Sequence, residues 1–341
     1  MRRQAIVSAF AAVLLCISPA AAQQARSYAL ATGTTGGTYY PVGVAIEALV
    51  KALLGTSQGL QVRAIPTGGS SDNLRLIAEG EVQLAMLQGI HTRAWHGDGP
   101  ARAAALSDLR SVTMLWPDII HIALRSALVR TGSVHDLGDI GMAPIAIGRS
   151  DSGAMMTTTA LLVSLGIEPA YLNVVDVGGY DAMAQAFEAG TIDGGSLLGG
   201  LPMAALTRAM TASADSLTLL SFGDADVEAA NARFGALWQP YAIPAGTYPG
   251  QEEEVLTLAE PNALVVRADV PEEDVYLLTK AIFQNLRFLA NMHPAAADLS
   301  LEHALSGMAL PLHPGAARYF AEAGVEIPEA LLPADQIASG Q

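Results

Sequence analysis

Gly33-Thr34-Thr35-Gly36-Gly37-Thr38-Tyr39-Tyr40-Pro41 is the stretch whose reading decides the fold. It follows a short apolar run, Tyr28-Ala29-Leu30-Ala31-Thr32, which reads as a first strand, and it leads into a helical pattern that predicts a helix from Tyr39 to Leu54. A glycine-rich turn between strand and helix leaves the first helical amides unpaired and directed outward. The helix dipole adds partial positive charge there, so the stretch is an anion site in kind. No Lys-Ser/Thr follows the glycines, which excludes a Walker loop, and the spacing is not that of a dinucleotide fingerprint. The competing reading is a tight, well-capped turn.

The motif recurs. Thr67-Gly68-Gly69-Ser70-Ser71-Asp72-Asn73 follows a second strand, Leu60–Ile65, and Gly148-Arg149-Ser150-Asp151-Ser152-Gly153 follows a strand at Pro144–Gly148. The first reads equally as ordinary capping by Ser71 or Asp72. The second adds Arg149, whose planar fork matches a carboxylate, unless it merely pairs with Asp151 at the surface. Gly178-Gly179-Tyr180 and Gly199-Gly200-Leu201-Pro202 add weaker candidates of the same kind. Such turns lie at the carboxyl ends of strands, the edge where open α/β sheets bind ligands.

Working outward, strands and helices alternate through the chain, an α/β pattern. Further strands are expected at Val82–Leu87, Val112–Trp116, Ile119–Leu124 (after a break at Pro117), Asn173–Val177, Asp193–Leu198, Leu217–Phe222 and Asn262–Arg267. Further helices are expected at Asp72–Glu79, Gly153–Leu165, Asp181–Ala189, Pro202–Met210 and Asp274–Asn291, with a turn and helix over Leu312–Ala323. Pro240–Gly250 reads as an ordered loop. The plan restarts near Ser126, so two halves each open with strand, glycine turn and helix.

The chain has 341 residues, 51% of them apolar, with 33 acidic against 18 basic residues and a net charge of −15. This composition excludes intrinsic disorder, and the acidity argues against nucleic acid. Residues 1–22 read as a secretory signal peptide: Arg2 and Arg3, an apolar run from Ala5 to Ile17, and a cleavage site at Ala20-Ala21-Ala22. That run is shorter than the ~20 residues a membrane span needs. The single cysteine, Cys16, leaves with this segment, and the bulky Leu15 before it does not fit lipoprotein processing. Neither a disulfide framework nor a Cys-based zinc site is available.

Catalytic constellations are missing. There is no G-x-S-x-G, no H-E-x-x-H and no metal spacing among His91, His96, His121, His135, His293, His303 and His313. Lys51 and Lys280 are the only lysines. No cofactor and no metal are expected. A hydrolase would need a pair such as Ser152 with His121, which no spacing supports; a purely structural surface protein is the third alternative.

The motifs Gly33-x-x-Gly36-Gly37-Thr38-Tyr39-Tyr40-Pro41, Thr67-Gly68-Gly69-Ser70-x-x-Asn73-Leu74, the strand ending at Gln88, Asp136-Leu137 and the Ser152-Gly153 turn resemble the TAXI family. These are the solute receptors of one branch of TRAP transporters. The resemblance runs on through Gly190-x-Ile192-Asp193, Gly200-Leu201-Pro202, Ile243-Pro244-Ala245-Gly246-Thr247-Tyr248 and Leu312-His313-Pro314-Gly315-Ala316-Ala317-Arg318-Tyr319, in order along nearly the whole chain after residue 22. It implies the two-lobed type II periplasmic binding-protein fold, with lobe 1 at 27–125 plus 257–341, lobe 2 at 126–256, and a hinge near Ile119–Leu124 and Ala263–Arg267. It implies a monomeric, non-enzymatic periplasmic receptor that delivers a small carboxylate (an acidic amino acid, 2-oxo acid or dicarboxylate) to membrane permease subunits driven by an ion gradient. The turns and the resemblance together nominate Gly36, Gly37, Thr38, Tyr39, Tyr40, Ser70, Asn73, Gln88, Arg149, Ser152, Gly153, Tyr180 and Gly200 as ligand-binding. Where many relatives carry a neutral turn, this chain has Arg149 and Asp151, a departure that bears on ligand identity.

Overall fold

A computed structural model describes residues 25–93, 100–213 and 216–333. The expected signal peptide and Cys16 lie outside the described residues. Ten strands form one continuous sheet: β1 Arg26–Ala31, β2 Leu60–Ile65, β3 Leu84–Gln88, β4 Leu109–Arg125, β5 Pro144–Ala146, β6 Asn173–Val174, β7 Gly194–Gly199, β8 Leu217–Leu219, β9 Gln239–Ile243 and β10 Val255–Arg267. The helices are α1 Tyr39–Val50, α2 Ser70–Ala78, α3 Pro100–Ser107, α4 Gly153–Ser164, α5 Tyr180–Glu188, α6 Ala204–Ala212, α7 Asp224–Phe234, α8 Glu272–Gln284, α9 Leu286–Met292 and α10 Pro314–Glu322.

The sheet runs β2-β1-β3-β10-β4-β7-β5-β6, with β8 beside β4 and β9 beside β10. At one end β2, β1 and β3 are parallel, and at the other β6, β5 and β7 are parallel. The two long strands between them are antiparallel to each other, and each is antiparallel to the trio beside it, β10 to β3 and β4 to β7. Each trio is wound with its helices in the same order: strand, helix, strand, helix, strand. Thus β1-α1-β2-α2-β3 matches β5-α4-β6-α5-β7. Helices cover both faces, as parallel strands require. The first half centres on Leu30, Ile46, Trp116, Ile282 and Phe320, and the second on Ile120, Leu162, Phe187 and Trp238, all fully buried.

Four expectations are corrected. β4 is one strand through Pro117, not two. Pro117 lies opposite Pro261; β7 pairs only residues 119–124 of β4, and β3 only residues 262–266 of β10. Neither missing N–H is therefore demanded by an outer neighbour. The start of the Pro240–Gly250 stretch is not loop but part of β9, an edge strand on β10. The single helix expected over Asp274–Asn291 divides into α8 and α9 at Asn285, whose Nδ2 donates to Ala281 O at 2.8 Å and competes with the backbone ladder. The helices α3 and α7 were not anticipated; α7 has Ala230 and Phe234 buried behind an otherwise polar sequence.

Gly315 lets α10 lie against α8. A Cβ there would fall 2.1 Å from Glu272 O and 2.6 Å from Tyr276 N, atoms of a helix backbone that cannot move aside. Gly315→Ala is expected to destabilise the protein by about 2–3 kcal/mol, the scale of core overpacking, read as a lower urea midpoint at unchanged slope. An unchanged midpoint would show that the two helices are not in register as described.

Candidate functional site

The winding places four helix N-termini at one spot. The strands β1, β2, β5 and β6 each feed a turn and then a helix: α1 with N-cap Thr38, α2 with Gly69, α4 with Ser152 and α5 with Gly179. Residues at all four starts line a single cavity of about 50 Å³ between the two halves. No side chain caps α1, α2 or α5, so their first amides remain available to a bound group. Only Ser152 caps its own helix, accepting from Met155 N at 3.2 Å.

Glycines bring the two halves into contact around this cavity. A Cβ on Gly37 would lie 3.1 Å from the Tyr180 ring, one on Gly153 2.5 Å from Gln88 Oε1, and one on Gly68 only 1.6 Å from Arg149 Nη2. Thr38 Oγ1 accepts from Gly200 N at 3.1 Å, and Thr35 Oγ1 donates to Asp181 Oδ2 at 2.7 Å. Arg149 is exposed at the mouth. It lies in the field of Asp72 and Asp176 but makes no ion pair or hydrogen bond among the described residues.

The inner end of the cavity is acidic. Asp118, 2% exposed and midway along β4, lines it together with Gln88, 3% exposed at the end of β3. Gln88 Nε2 donates to Asp118 Oδ2 at 2.9 Å. Asp118 Oδ1 and Gln88 Oε1 find no donor among the described residues. Glu260 of β10 sits directly opposite Asp118 in the ladder and is equally buried. It accepts from Ile90 N at 2.8 Å and from Thr157 Oγ1 of α4 at 3.2 Å. Burial pushes the Glu260 carboxyl up to about 8, with the charge of Asp118 adding to the rise. Burial pushes Asp118 up to about 6, against the neighbouring amides of Gln88 and Asn262. Both carboxyls are thus held above the ordinary carboxylate range by the burial they share. Burial also raises the phenols of Tyr39 and Tyr180, which stay neutral; Tyr39 donates to Asn262 Oδ1, and Tyr180 accepts from Leu198 N at 3.0 Å.

Of the nominated residues, Gly37, Thr38, Tyr39, Ser70, Gln88, Arg149, Ser152 and Tyr180 line the cavity. Gly36 packs on the Asp181 backbone beside it, and Gly153 packs on Gln88 and Ser70. Three residues stand off the wall. Tyr40 is the half-buried second residue of α1. Gly200 is turned toward Trp116 and Ala295. Asn73 is wholly engaged as a clasp, its Nδ2 donating to Thr32 O at 2.6 Å and Met86 O at 2.8 Å and so tying β1 to β3. The Ser152–His121 pairing that a hydrolase would need is not formed: Ser152 caps α4, while His121 meets Tyr248 Oη at 2.9 Å within the core. The residue that sequence reasoning missed is Asp118. Its signal was an acid inside the apolar run Met114-Leu115-Trp116-Pro117-Asp118-Ile119-Ile120, where a charge needs a reason.

The folded protein keeps Glu260 protonated between its ordinary 4.5 and about 8, a range in which the unfolded chain is ionised. The folded state binds the extra proton, so this group makes stability fall as pH rises through that window. Glu260→Gln is expected to match the wild type near pH 5 and to exceed its Tm by an amount that grows toward pH 8.5, at roughly 2–4 °C per kcal/mol. Thermal unfolding of both proteins across pH checks this; a difference that shrinks with rising pH would contradict it.

Comparison with known proteins agrees with this architecture. PhnD1 of Prochlorococcus marinus (MIT 9301), solved with methylphosphonate, superposes with a TM-score of 0.51 at 12% identity, covering 80% of this chain and 92% of that one. A protein from Bordetella bronchiseptica RB50 gives 0.50 at 15% identity over 92% and 91% of the two chains. The alkanesulfonate-binding protein SsuA of Xanthomonas axonopodis pv. citri, bound to MOPS, gives 0.45 at 15% identity over 92% and 96%. At such identities the likeness extends to the fold alone, and that fold is the mixed α/β architecture of the type II periplasmic solute-binding proteins. The sequence itself matches the NMT1-like family over residues 30–324, and the chain belongs to that family.

Proposed function

We propose that this protein is a periplasmic solute receptor of the TAXI type, serving a TRAP transporter. Residues 1–22 direct its export and are removed. The protein acts as a monomer, holds a small carboxylate between lobe 1 (27–125 plus 257–341) and lobe 2 (126–256), and presents it to membrane permease subunits. The observation that carries this reading is the meeting of four helix starts, two from each half, on one cavity with Arg149 at its mouth. A carboxylate there receives amide hydrogen bonds from both halves. Each helix terminus contributes about 0.3–1 kcal/mol, and up to ~2 where partly buried. Several together with a charge-assisted bond from Arg149 reach the scale of micromolar binding, about −8 kcal/mol.

Binding drives closure because the ligand touches both lobes only when they meet, and a ligand shifts an equilibrium only through differential affinity. The long strands β4 and β10 are the connection about which the lobes turn. The permease then reads the closed form. Without Arg2 and Arg3 of the removed segment the net charge is −15 − 2 = −17, which opposes an anion only weakly, since screening over ~8 Å makes distant charges minor and local donors decide. Hydrolysis is the weaker alternative, because Ser152 and His121 are each committed elsewhere.

The test is a thermal-shift screen of protein stripped by unfolding and refolding, against amino acids, 2-oxo acids, dicarboxylates and sugars. At a hundredfold excess over the dissociation constant, a true ligand stabilises by about 2.7 kcal/mol. Arg149→Ala is expected to weaken that ligand about tenfold or more without lowering the Tm of the empty protein, as befits an exposed charge-assisted contact. Stabilisation by sugars and by no carboxylate would overturn the reading.

A further inference from the structure

We infer that Asp118 makes this cavity selective for a short zwitterion, in which a carboxylate and a protonated amine lie within a few atoms of one another. The inference rests on the receptor reading above and sharpens it: dicarboxylates and 2-oxo acids are disfavoured, although they belong to the wider class that reading admits.

The cavity is polarised from mouth to floor. Arg149, exposed, marks the mouth, and the helix starts supply amide donors along the walls. At the floor are two acceptors that no hydrogen bond of the described residues fills, Asp118 Oδ1 and Gln88 Oε1, with Asn262 Nδ2 as the one unpartnered donor group beside Asp118. The orientation of Gln88 follows from chemistry, because a carboxylate only accepts and the amide must turn its NH₂ end toward Asp118. That leaves Gln88 Oε1 against Gly153 on the other half, so both lobes frame the unfilled acceptor pair. Among the described residues no cation pairs with it: Arg149 is exposed and makes no ion pair there, and the other buried acid, Glu260, is occupied by Ile90 N and Thr157 Oγ1.

A buried carboxylate without a full set of partners is costly. An ammonium brings the missing charge and three donors. A second carboxylate or a keto oxygen brings further lone pairs and no positive charge, and the Asn262 amide is the one unpartnered neutral donor beside Asp118. The small cavity, about 50 Å³, sets the length: the amine must sit near the carboxylate, as in a small amino acid. Sites built around a hydrogen-bonding group reject analogues lacking it far more strongly than apolar pockets reject a change of size.

The experiment is calorimetric titration of the stripped protein at neutral pH with glycine, L-alanine and β-alanine, against propionate, L-lactate, pyruvate and succinate. At least one amine-bearing probe is expected to bind about a hundredfold or more tighter than propionate, pyruvate and succinate, in keeping with a site that loses its hydrogen-bonding partner. Asp118→Asn is expected to collapse that preference at least thirtyfold, by weakening the amine-bearing probe and not weakening propionate, because the variant keeps shape and loses charge. If that variant does not fold, the wild-type series decides alone. Equal binding of propionate, pyruvate or succinate overturns the inference and leaves the receptor reading standing. Lactate binding as well as alanine shows that a neutral hydroxyl suffices and also overturns it. Binding by none of the probes removes this inference, while the wider screen above still tests the receptor reading.

Discussion

The antiparallel pairing of β4 with β10 is the constraint on which the rest depends. Among the described residues these two strands alone join the two parallel trios in the sheet order. They carry Pro117 against Pro261 and Asp118 against Glu260 in adjacent register positions. The prolines lie between the part of β10 that pairs with β3 (262–266) and the part of β4 that pairs with β7 (119–124). The acids stand next to them, beneath the junction of the halves. One pair loosens the ladder and the other places two acids side by side in it, and both lie between the two trios.

Around that crossing, the chemistry is mostly backbone. The helix starts supply amides, and the glycines at 37, 68 and 153 let opposing segments approach to distances no Cβ would tolerate. A surface built this way has donors in abundance and few side chains to tune. Few side chains do enter, chiefly Gln88, Asp118 and Arg149, and the proposed selectivity rests on them. Arg149 and Asp118 sit at opposite ends of the cavity with opposite charge, and burial separates their roles: the exposed guanidinium is screened and adaptable, whereas the enclosed carboxylate is demanding.

Much of this was legible in the sequence because it rests on local rules. The glycine turns at 33–38, 67–69 and 148–153 announce strand-to-helix transitions, and period and caps place α1, α2, α4 and α5 within a residue or two of their observed starts. What escaped depends on partners distant in the chain. Pro117 breaks a strand by local rule, and only Pro261 opposite explains why it does not break this one. Asp118 then fell in a supposed gap, although it faces the site. Asn73 sits in a motif that resembles a binding turn, yet its amide is spent on the carbonyls of Thr32 and Met86, which no spacing reveals. The polar sequence of α7 hides a helix that has one face against the core.

The most direct measurement is the crystal structure of the refolded protein with the tightest-binding solute of the screens described above. The account predicts the solute's carboxylate within hydrogen-bond distance of helix-start amides from both halves, at least one at Thr38–Tyr39 or Gly69–Ser70 and one at Ser152–Gly153 or Gly179–Tyr180. A solute seated on one half alone, or away from these four helix starts, would contradict it.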